Sequence, residues 1–397
     1  TEPAGVFDLQ FHGVLKILPG YYTMYDSLHV RVPMKIAGER GKTILVKPPQ
    51  FVTTLAEAMP VDAVDLKVKD AGGLRLGGGI TIRPEKERAA WNLVIRTMVA
   101  VDGNNIRVDR PPAFEPVYGR PSRTYAAGSV VQTSYPLISC RDVNDVEIEG
   151  LVIDGNPDQN KDMYIDGCRN GAIYFLEGKD HAIRRVEVRN FAGDGISWQT
   201  VHNMVVEDVE SHHNQGFGLH PGTGSLYTLI RNCKSHHNGD IGIFVCWNVR
   251  FGRFENNVLE DTGNHGISIG HNDTDNLFRN NQVRRNGQTG VVFRKDGPRP
   301  DRCVFENNVI EDNGQEAREG RPAREGFGIL WTQQVNDVVL RGNVIRDTRP
   351  EGQRTQLTAI HVHSKATGVV IAPDNRIEGQ VNLPESAQQP AKAPGGK

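Results

Sequence analysis

No stretch of this 397-residue chain is apolar enough to span a membrane. It also lacks a surplus of positive charge. Its 46 Lys and Arg stand against 48 Asp and Glu, so there is no concentrated basic surface for a phosphate backbone. Neither a membrane nor nucleic acid is therefore expected as a partner. Cysteine is scarce: Cys140, Cys168, Cys233, Cys246 and Cys303 are odd in number and lack metal-ligand spacing. Cys233 reads as buried filler. Aromatic residues make up only 7% while glycines number 43, a balance that suits a turn-rich β solenoid. No signal peptide is recognisable and the chain begins at Thr rather than Met, which fits a trimmed protein. A secreted or periplasmic location is the expectation. Oligomeric state is not legible.

What the chain has is a repeat. Gly171-Ala172-Ile173, Asp194-Gly195-Ile196, Phe217-Gly218-Leu219, Ile241-Gly242-Ile243, His265-Gly266-Ile267 and Thr289-Gly290-Val291 recur at steps of 23, 23, 24, 24 and 24 residues. The lag continues, with insertions, at Gly328-Ile329 and Ala359-Ile360. A fixed period in this range decides the architecture. A polar corner ends the second strand of each repeat, at Asp208, Asn232, Asn257, Asn281, Asn308 and Asn343, and stacked Asn side chains bond up and down a pile of identical turns. Together these features predict an all-β, right-handed parallel β-helix. A β-sandwich would need coincidental spacing, and a leucine-rich repeat would need a helix in each unit.

In chain order, residues 1–50 read as the first coils. Residues 51–135 break the rhythm and read as an inserted cap subdomain, since a solenoid needs its end shielded from water. Within it, Pro84 and the residues Glu85 to Val99 carry helix signals: acids in the first turn, then Trp91, Val94, Ile95 and Met98 at helical spacing. Asp102-Gly103-Asn104 marks a hairpin between Val99 and Val108. The main helix is expected over 136–380, about ten coils in all from near Val14 to near Gly379. Residues 381–397 are too polar and Pro-rich to fold.

Alternate side chains of a strand point opposite ways. If the aliphatic column faces in, Tyr174, Ser197, His220, Phe244, Ser268, Val292, Leu330 and His361 face out. So do Leu176, Gln199, Gly222, Cys246, Gly270, Arg294, Thr332 and His363, with Glu177, Thr200, Thr223, Trp247, His271 and Lys295 just after. Any single His there is as readily a solvated surface residue. The group His220, His265, His271, Arg294 and Lys295 on adjacent coils instead reads as a groove for an extended polar ligand. The loop His271 to Asn276 adds Asp273 and Asp275. These carboxylates suit acid and base roles, oxygen ligands for Ca²⁺ or a plain polar turn. Ca²⁺ is the one cofactor they suggest.

Gly263-Asn264-His265-Gly266-Ile267-Ser268-Ile269-Gly270 resembles the Gly-His-Gly-Ile-Ser-Ile-Gly stretch of the polygalacturonases, which are pectin-hydrolysing β-helix enzymes. Gly290-Val291-Val292-Phe293-Arg294-Lys295 resembles that family's Gly-Val-Arg-Ile-Lys, and Asp194-Gly195-Ile196 its Asp-Gly-Phe. The family's paired Asp has one counterpart near Asp240-Ile241, displaced by one position. Phe254 to Asn257 is similar to a phrase of the mannuronan C5-epimerases. Both resemblances imply a pectate-lyase-like solenoid and a carbohydrate ligand.

Three functions follow. The first is hydrolysis of an acidic polysaccharide, which needs one carboxyl to protonate the leaving oxygen and another to direct water. Asp194, Asp273 and Asp275 are the candidates, tuned by His220 and His265. Glu177, Gln199, Trp247, His271, Arg294 and Lys295 then contact substrate. The second is a lyase or C5-epimerase acting on a uronic acid polymer, with His220, His271, Lys295 or Arg294 as base. The third is a non-catalytic carbohydrate-binding solenoid.

Overall fold

A computed structural model describes residues 13–86, 92–114, 123–161, 165, 167–295, 297–316 and 323–388. Each repeat forms one rung of a parallel β-helix. Ile173 lies opposite Ile196, Ile196 opposite Leu219, and the column continues through Ile243, Ile267, Val291, Ile329 and Ile360. All of these side chains are buried. A branched aliphatic at this position packs on its copies above and below, which is why the period survives insertions. Phe254, Phe278 and Phe305 form a second internal stack, with ring centroids 4.6 and 4.7 Å apart.

Every rung has three faces. The first carries the aliphatic column, for example Leu219–Gly222 and His265–Ile269. The second holds strands such as Leu229–Arg231 and Arg253–Glu255. The third is an eleven-stranded parallel sheet, one strand more than the roughly ten coils expected. In two rungs the first two faces share one continuous strand, Gly171–Arg184 and Asp194–Glu207. These strands turn the corner at Glu177 and Thr200, both in the left-handed region (φ 57° and 55°).

Two polar ladders run inside the wall. Asn257, Asn281, Asn308, Asn343 and Asn375 pass side-chain hydrogen bonds from amide to amide at 2.9–3.0 Å. The other runs from Thr262 through Asn286 and Asn313 to Gln356, with Asn214 bonded to Asn238 on earlier rungs. The first ladder corrects the column read from sequence. Arg231 lies opposite Glu255, so Cys233, not Asn232, shares the place of Asn257, and Asn257 Oδ1 accepts from the Cys233 amide. Asp208 and Asn232 belong instead to the adjacent corner column with Asn256, Asn280 and Asn307, all with φ of 54–57°.

Between Thr43–Val46 and Ile138–Arg141 the chain leaves the helix and builds a six-stranded sheet. This sheet has its own core, including Leu55, Ile80, Met98 and Val131. Among the described residues of the stretch Glu85–Val99, the expected helix does not form. Val94–Asp102 is a strand, paired antiparallel with Gly79–Arg83 and Asn105–Val108. Residues 87–91, including Trp91, lie outside the described residues. The expected hairpin is present, with Asp102 opposite Asn105. At the far end, Gln380–Asn382 adds a strand beside Thr358–His361, and Ala387 is buried in the core. Composition had placed an unstructured tail there. Main-chain pairing to the rung beneath, and one small apolar contact, suffice to order it as far as 388.

Candidate active site

The outward residues of the first face do not form an open row. Tyr174, Ser197, His220 and Ser268 are all buried although they point away from the core of the helix. Residues 167–168 pass over part of this row. The Ser197 hydroxyl donates to Gly167 O at 2.6 Å, and the Tyr174 hydroxyl to Cys168 O at 2.9 Å. Under the same segment lies Asp194. Its carboxylate fills the space that a Cβ would need on Gly167 and on Gly216, so both positions require glycine.

Asp194 is bonded to His220, one rung away. Asp194 Oδ2 lies 2.7 Å from His220 Nδ1, and Asp194 Oδ1 accepts from the Phe217 amide at 3.0 Å. The carboxylate fixes the tautomer with the proton on Nδ1. Nε2, enclosed, has no hydrogen-bond partner. Phe217 and Phe244 stand edge-on to the imidazole at 5.4 and 4.9 Å. Arg294 lies over the Phe244 ring at 4.3 Å and donates to Ser268 Oγ and Val245 O.

Beside this floor is a partly exposed polar cluster. Asn264 Nδ2 donates to Asp240 Oδ1 at 2.7 Å, and Arg324 Nη1 donates to Asn264 Oδ1 at 2.7 Å. His265 is the next residue, and register sets it one rung from Ile241. Burial raises the pKa of the Asp240 carboxyl, against the opposing hydrogen bond from Asn264. Burial, reinforced by the positive charges of Arg294 and Arg324, lowers the His265 imidazole to about 4. Both groups are thus pushed toward their neutral forms. Such displaced pairs mark acid and base roles.

The other residues singled out from sequence are more dispersed. Asp273 is buried, and its carboxylate accepts from the Val249 and Gly270 amides. Asp275 is clamped by Arg302 at 2.6 and 2.8 Å. Both therefore hold the turn together, and among the described residues no group of three or more His, Cys, Asp or Glu is arranged for a metal ion. Gln199 is buried and donates to Ser197 Oγ. Glu177 is exposed, and its carboxyl is raised by the hydrogen bond its protonated form donates to Asp142, by burial and by the Asp142 charge. Trp247 is 42% exposed and stands edge-on to His271 at 5.1 Å, with Cys246 Sγ 3.7 Å from His271 Nδ1. Lys295 is exposed. The structure therefore joins Asp194 to His220 and brings His265 near Arg294. Trp247 and His271 sit at one edge, and Asp273 and Asp275 work elsewhere.

Sequence reasoning passed over Asp240, Asn264 and Arg324 as site residues. Asp240 had one signal, its place as the displaced counterpart of the paired Asp in the polygalacturonase resemblance. Arg324 had none, since it reaches Asn264 across 60 residues.

The chain matches the family described as right handed beta helix region over residues 136–300 and 171–345, together more than half its length. No curated protein matches it. Among solved structures it is similar to the A-module of the Azotobacter vinelandii mannuronan C-5 epimerase AlgE4, at 14% identity and a TM-score of 0.50, covering 96% of this chain and 89% of that one. It is also similar to a structure described as a glycoside hydrolase, at 12% identity and a TM-score of 0.53, covering 92% and 89%. At these identities the likeness is one of fold. Among the described residues no helix is long and apolar enough to cross a membrane.

Proposed function

The chain belongs to the right-handed β-helix family, and from that premise we propose that it is a polysaccharide-processing enzyme that transfers a proton at the carbon next to a sugar carboxylate. Elimination and C5-epimerisation both begin with this step. The carrying observation is the cluster of His265, Asp240, Arg294 and Arg324. A neutral imidazole takes the proton as base. The guanidinium groups offset the charge that develops on the substrate carboxylate. Asp240, whose carboxyl burial pushes toward its neutral form, returns a proton to the leaving oxygen or to the opposite ring face. The Asp194–His220 pair lies beneath, too enclosed to touch a sugar, and supports the aromatic floor under Arg294. Trp247 offers a flat face for a pyranose ring at the edge of the groove. The mixed, partly exposed surface suits a polar chain rather than a compact apolar ligand.

Hydrolysis is the second reading, favoured by the raised carboxyl of Asp240, which a general acid requires. The products separate the two on a panel of uronate polymers. Elimination yields ultraviolet-absorbing unsaturated ends. Epimerisation in D₂O places deuterium at C5 without new ends. Hydrolysis yields reducing ends alone. New reducing ends without absorbance, on any polymer of the panel, would overturn the proton-abstraction reading.

A further inference from the structure

The sequence Ser-His-His-Asn occurs twice, at residues 211–214 and 235–238, one rung apart. Both copies sit at the corner where the third face turns toward the first. Glu210–His212 and Lys234–His236 are strands of the third face. His213 and His237 then turn the corner in the left-handed region (φ 56° and 52°). In a straight strand, neighbouring side chains point to opposite sides. The corner instead brings consecutive imidazoles together. His212 Nδ1 lies 2.7 Å from His213 Nδ1, and His236 Nδ1 lies 2.8 Å from His237 Nδ1. The pairs stack across the rungs, His212 on His236 at 4.8 Å and His213 on His237 at 5.0 Å between ring centroids. Serine and asparagine anchor each copy. Ser211 and Ser235 donate to Gly218 O and Gly242 O, and Asn214 and Asn238 donate to these serines.

The outer nitrogens are fixed as well. His212 Nε2 lies 3.3 Å from Glu187 Oε1, and His236 Nε2 lies 3.0 Å from Glu210 Oε1. Each carboxylate keeps the proton on Nε2, so His212 and His236 carry their lone pairs on Nδ1, toward the neighbouring ring. An imidazole whose outer N–H is held by a carboxylate is the arrangement found at metal-bound histidines. The spacing also selects among metals. At a metal–nitrogen distance of about 2.0–2.1 Å, nitrogens 2.7 and 2.8 Å apart subtend about 80–90°. That is the cis angle of a tetragonal ion, not the tetrahedral angle of a structural Zn²⁺ site. Imidazole nitrogens in tetragonal geometry suit Cu²⁺ best and then Ni²⁺.

We propose that His212 with His213, and His236 with His237, each form a bidentate site for a tetragonal divalent transition metal, Cu²⁺ above all. Among the described residues no three such ligands converge, so each site is open and water completes its coordination. The ion takes the place of the proton between the two rings, and that proton moves to Nε2 of His213 or His237. Both of these residues are exposed and line one cleft with Asp261 and Arg285, which gives the ion a way in and room for its waters. Asp261 is already paired with Arg285, which leaves the imidazoles as the ligands. Two dications one rung apart repel, so the second ion binds more weakly than the first.

Titration of the tag-free, chelator-washed protein with Cu²⁺, followed by calorimetry and electron paramagnetic resonance, tests this. Wild type should bind one ion tightly and a second more weakly, with a tetragonal spectrum split by two imidazole nitrogens. It should bind Zn²⁺ less tightly. His213→Gln/His237→Gln takes one ligand from each pair and should weaken the first ion by more than about a hundredfold, beyond what loss of an outer partner costs. His213→Gln alone should leave one tight ion. Glu187→Gln/Glu210→Gln leaves all four rings in place and should weaken binding about ten- to a hundredfold, a readout that stands even where the His variants fail to fold. Unchanged affinity in either double variant, loss of every ion from His213→Gln alone, or a preference for Zn²⁺ overturns the proposal. His361→Gln/His363→Gln should bind as wild type does. Loss of the tight ion there would place copper on the histidines of the last rungs and overturn the site equally.

Discussion

Asp194 and His220 are hydrogen-bonded at 2.7 Å with both side chains fully enclosed. An exposed pair of this kind contributes about 0–1 kcal/mol. Here the loss of one partner strands a buried polar group. Asp194→Ala also removes the acceptor of the Phe217 amide. It should destabilise the fold by about 3–5 kcal/mol. Urea denaturation checks this, and a loss below about 1 kcal/mol would mean that the dyad is solvated.

The site prediction concerns Asp240 and His265. Asp240→Asn retains the oxygen that accepts from Asn264 but cannot give up a proton. His265→Gln retains polarity without a titratable nitrogen. Each should lower turnover about a hundredfold or more and leave the fold intact by circular dichroism. Wild-type rates in both would remove the cluster from the mechanism.

The pH profile follows from the same two groups. The base must be neutral, so activity falls as pH drops through the His265 pKa of about 4. The acid must be protonated, so activity also falls as pH rises through the elevated Asp240 value. The expected profile is a bell with an acidic maximum. In Asp240→Asn the residual activity should lose its alkaline limb.

Stability should have its own pH dependence, through His181. This ring is buried and accepts from the Val146 amide at Nδ1, and burial lowers its pKa to about 4, against the raising influence of Asp145 and Asp180. An unfolded His takes up its proton near pH 6.5. Between these values the unfolded chain binds more protons, so stability declines as pH falls. The loss is about 3 kcal/mol. Glu260 acts at lower pH. Burial alone would raise its carboxyl, but Arg284 and Arg285 hold it at about 2. Its contribution is therefore complete above about pH 4.5 and is lost as pH falls toward 2. In His181→Gln the slope between pH 6.5 and 4 should flatten while the slope below remains.

The ladders predict a contrast between neighbours. Asn281 accepts from the Asn257 amide and side chain and donates to Phe254 O and Asn308 Oδ1. Asn281→Ala should cost about 2–4 kcal/mol through unsatisfied buried groups. Asn280 is exposed at a φ of 55°, and Asn280→Gly should be nearly neutral because glycine adopts that backbone freely. Chemical denaturation of both variants decides whether the inner or the outer Asn carries the stack.

The helix was legible because its stabilising contacts are periodic in sequence. Ile196, Leu219 and Ile243 must recur at the rung spacing, since each packs on the next. The Asn ladder was legible only to within one residue. Asn256 and Asn257 are chemically alike, and which of them turns inward is fixed by the rung beneath. At Cys233 the inner position carries no Asn at all, so the eye falls on Asn232. Val94–Asp102 misled for a different reason. Its apolar residues satisfy helical spacing, but strand partners on both sides take its backbone hydrogen bonds. The sequence by itself determined the architecture, the period and the side of the wall on which His220 and Arg294 stand. Only the tertiary structure decided that His220 is enclosed beside Asp194, that Arg324 reaches Asn264, and that burial and two guanidinium charges keep His265 neutral. Those properties depend on desolvation and on distances between rungs, neither of which is written in local residue order.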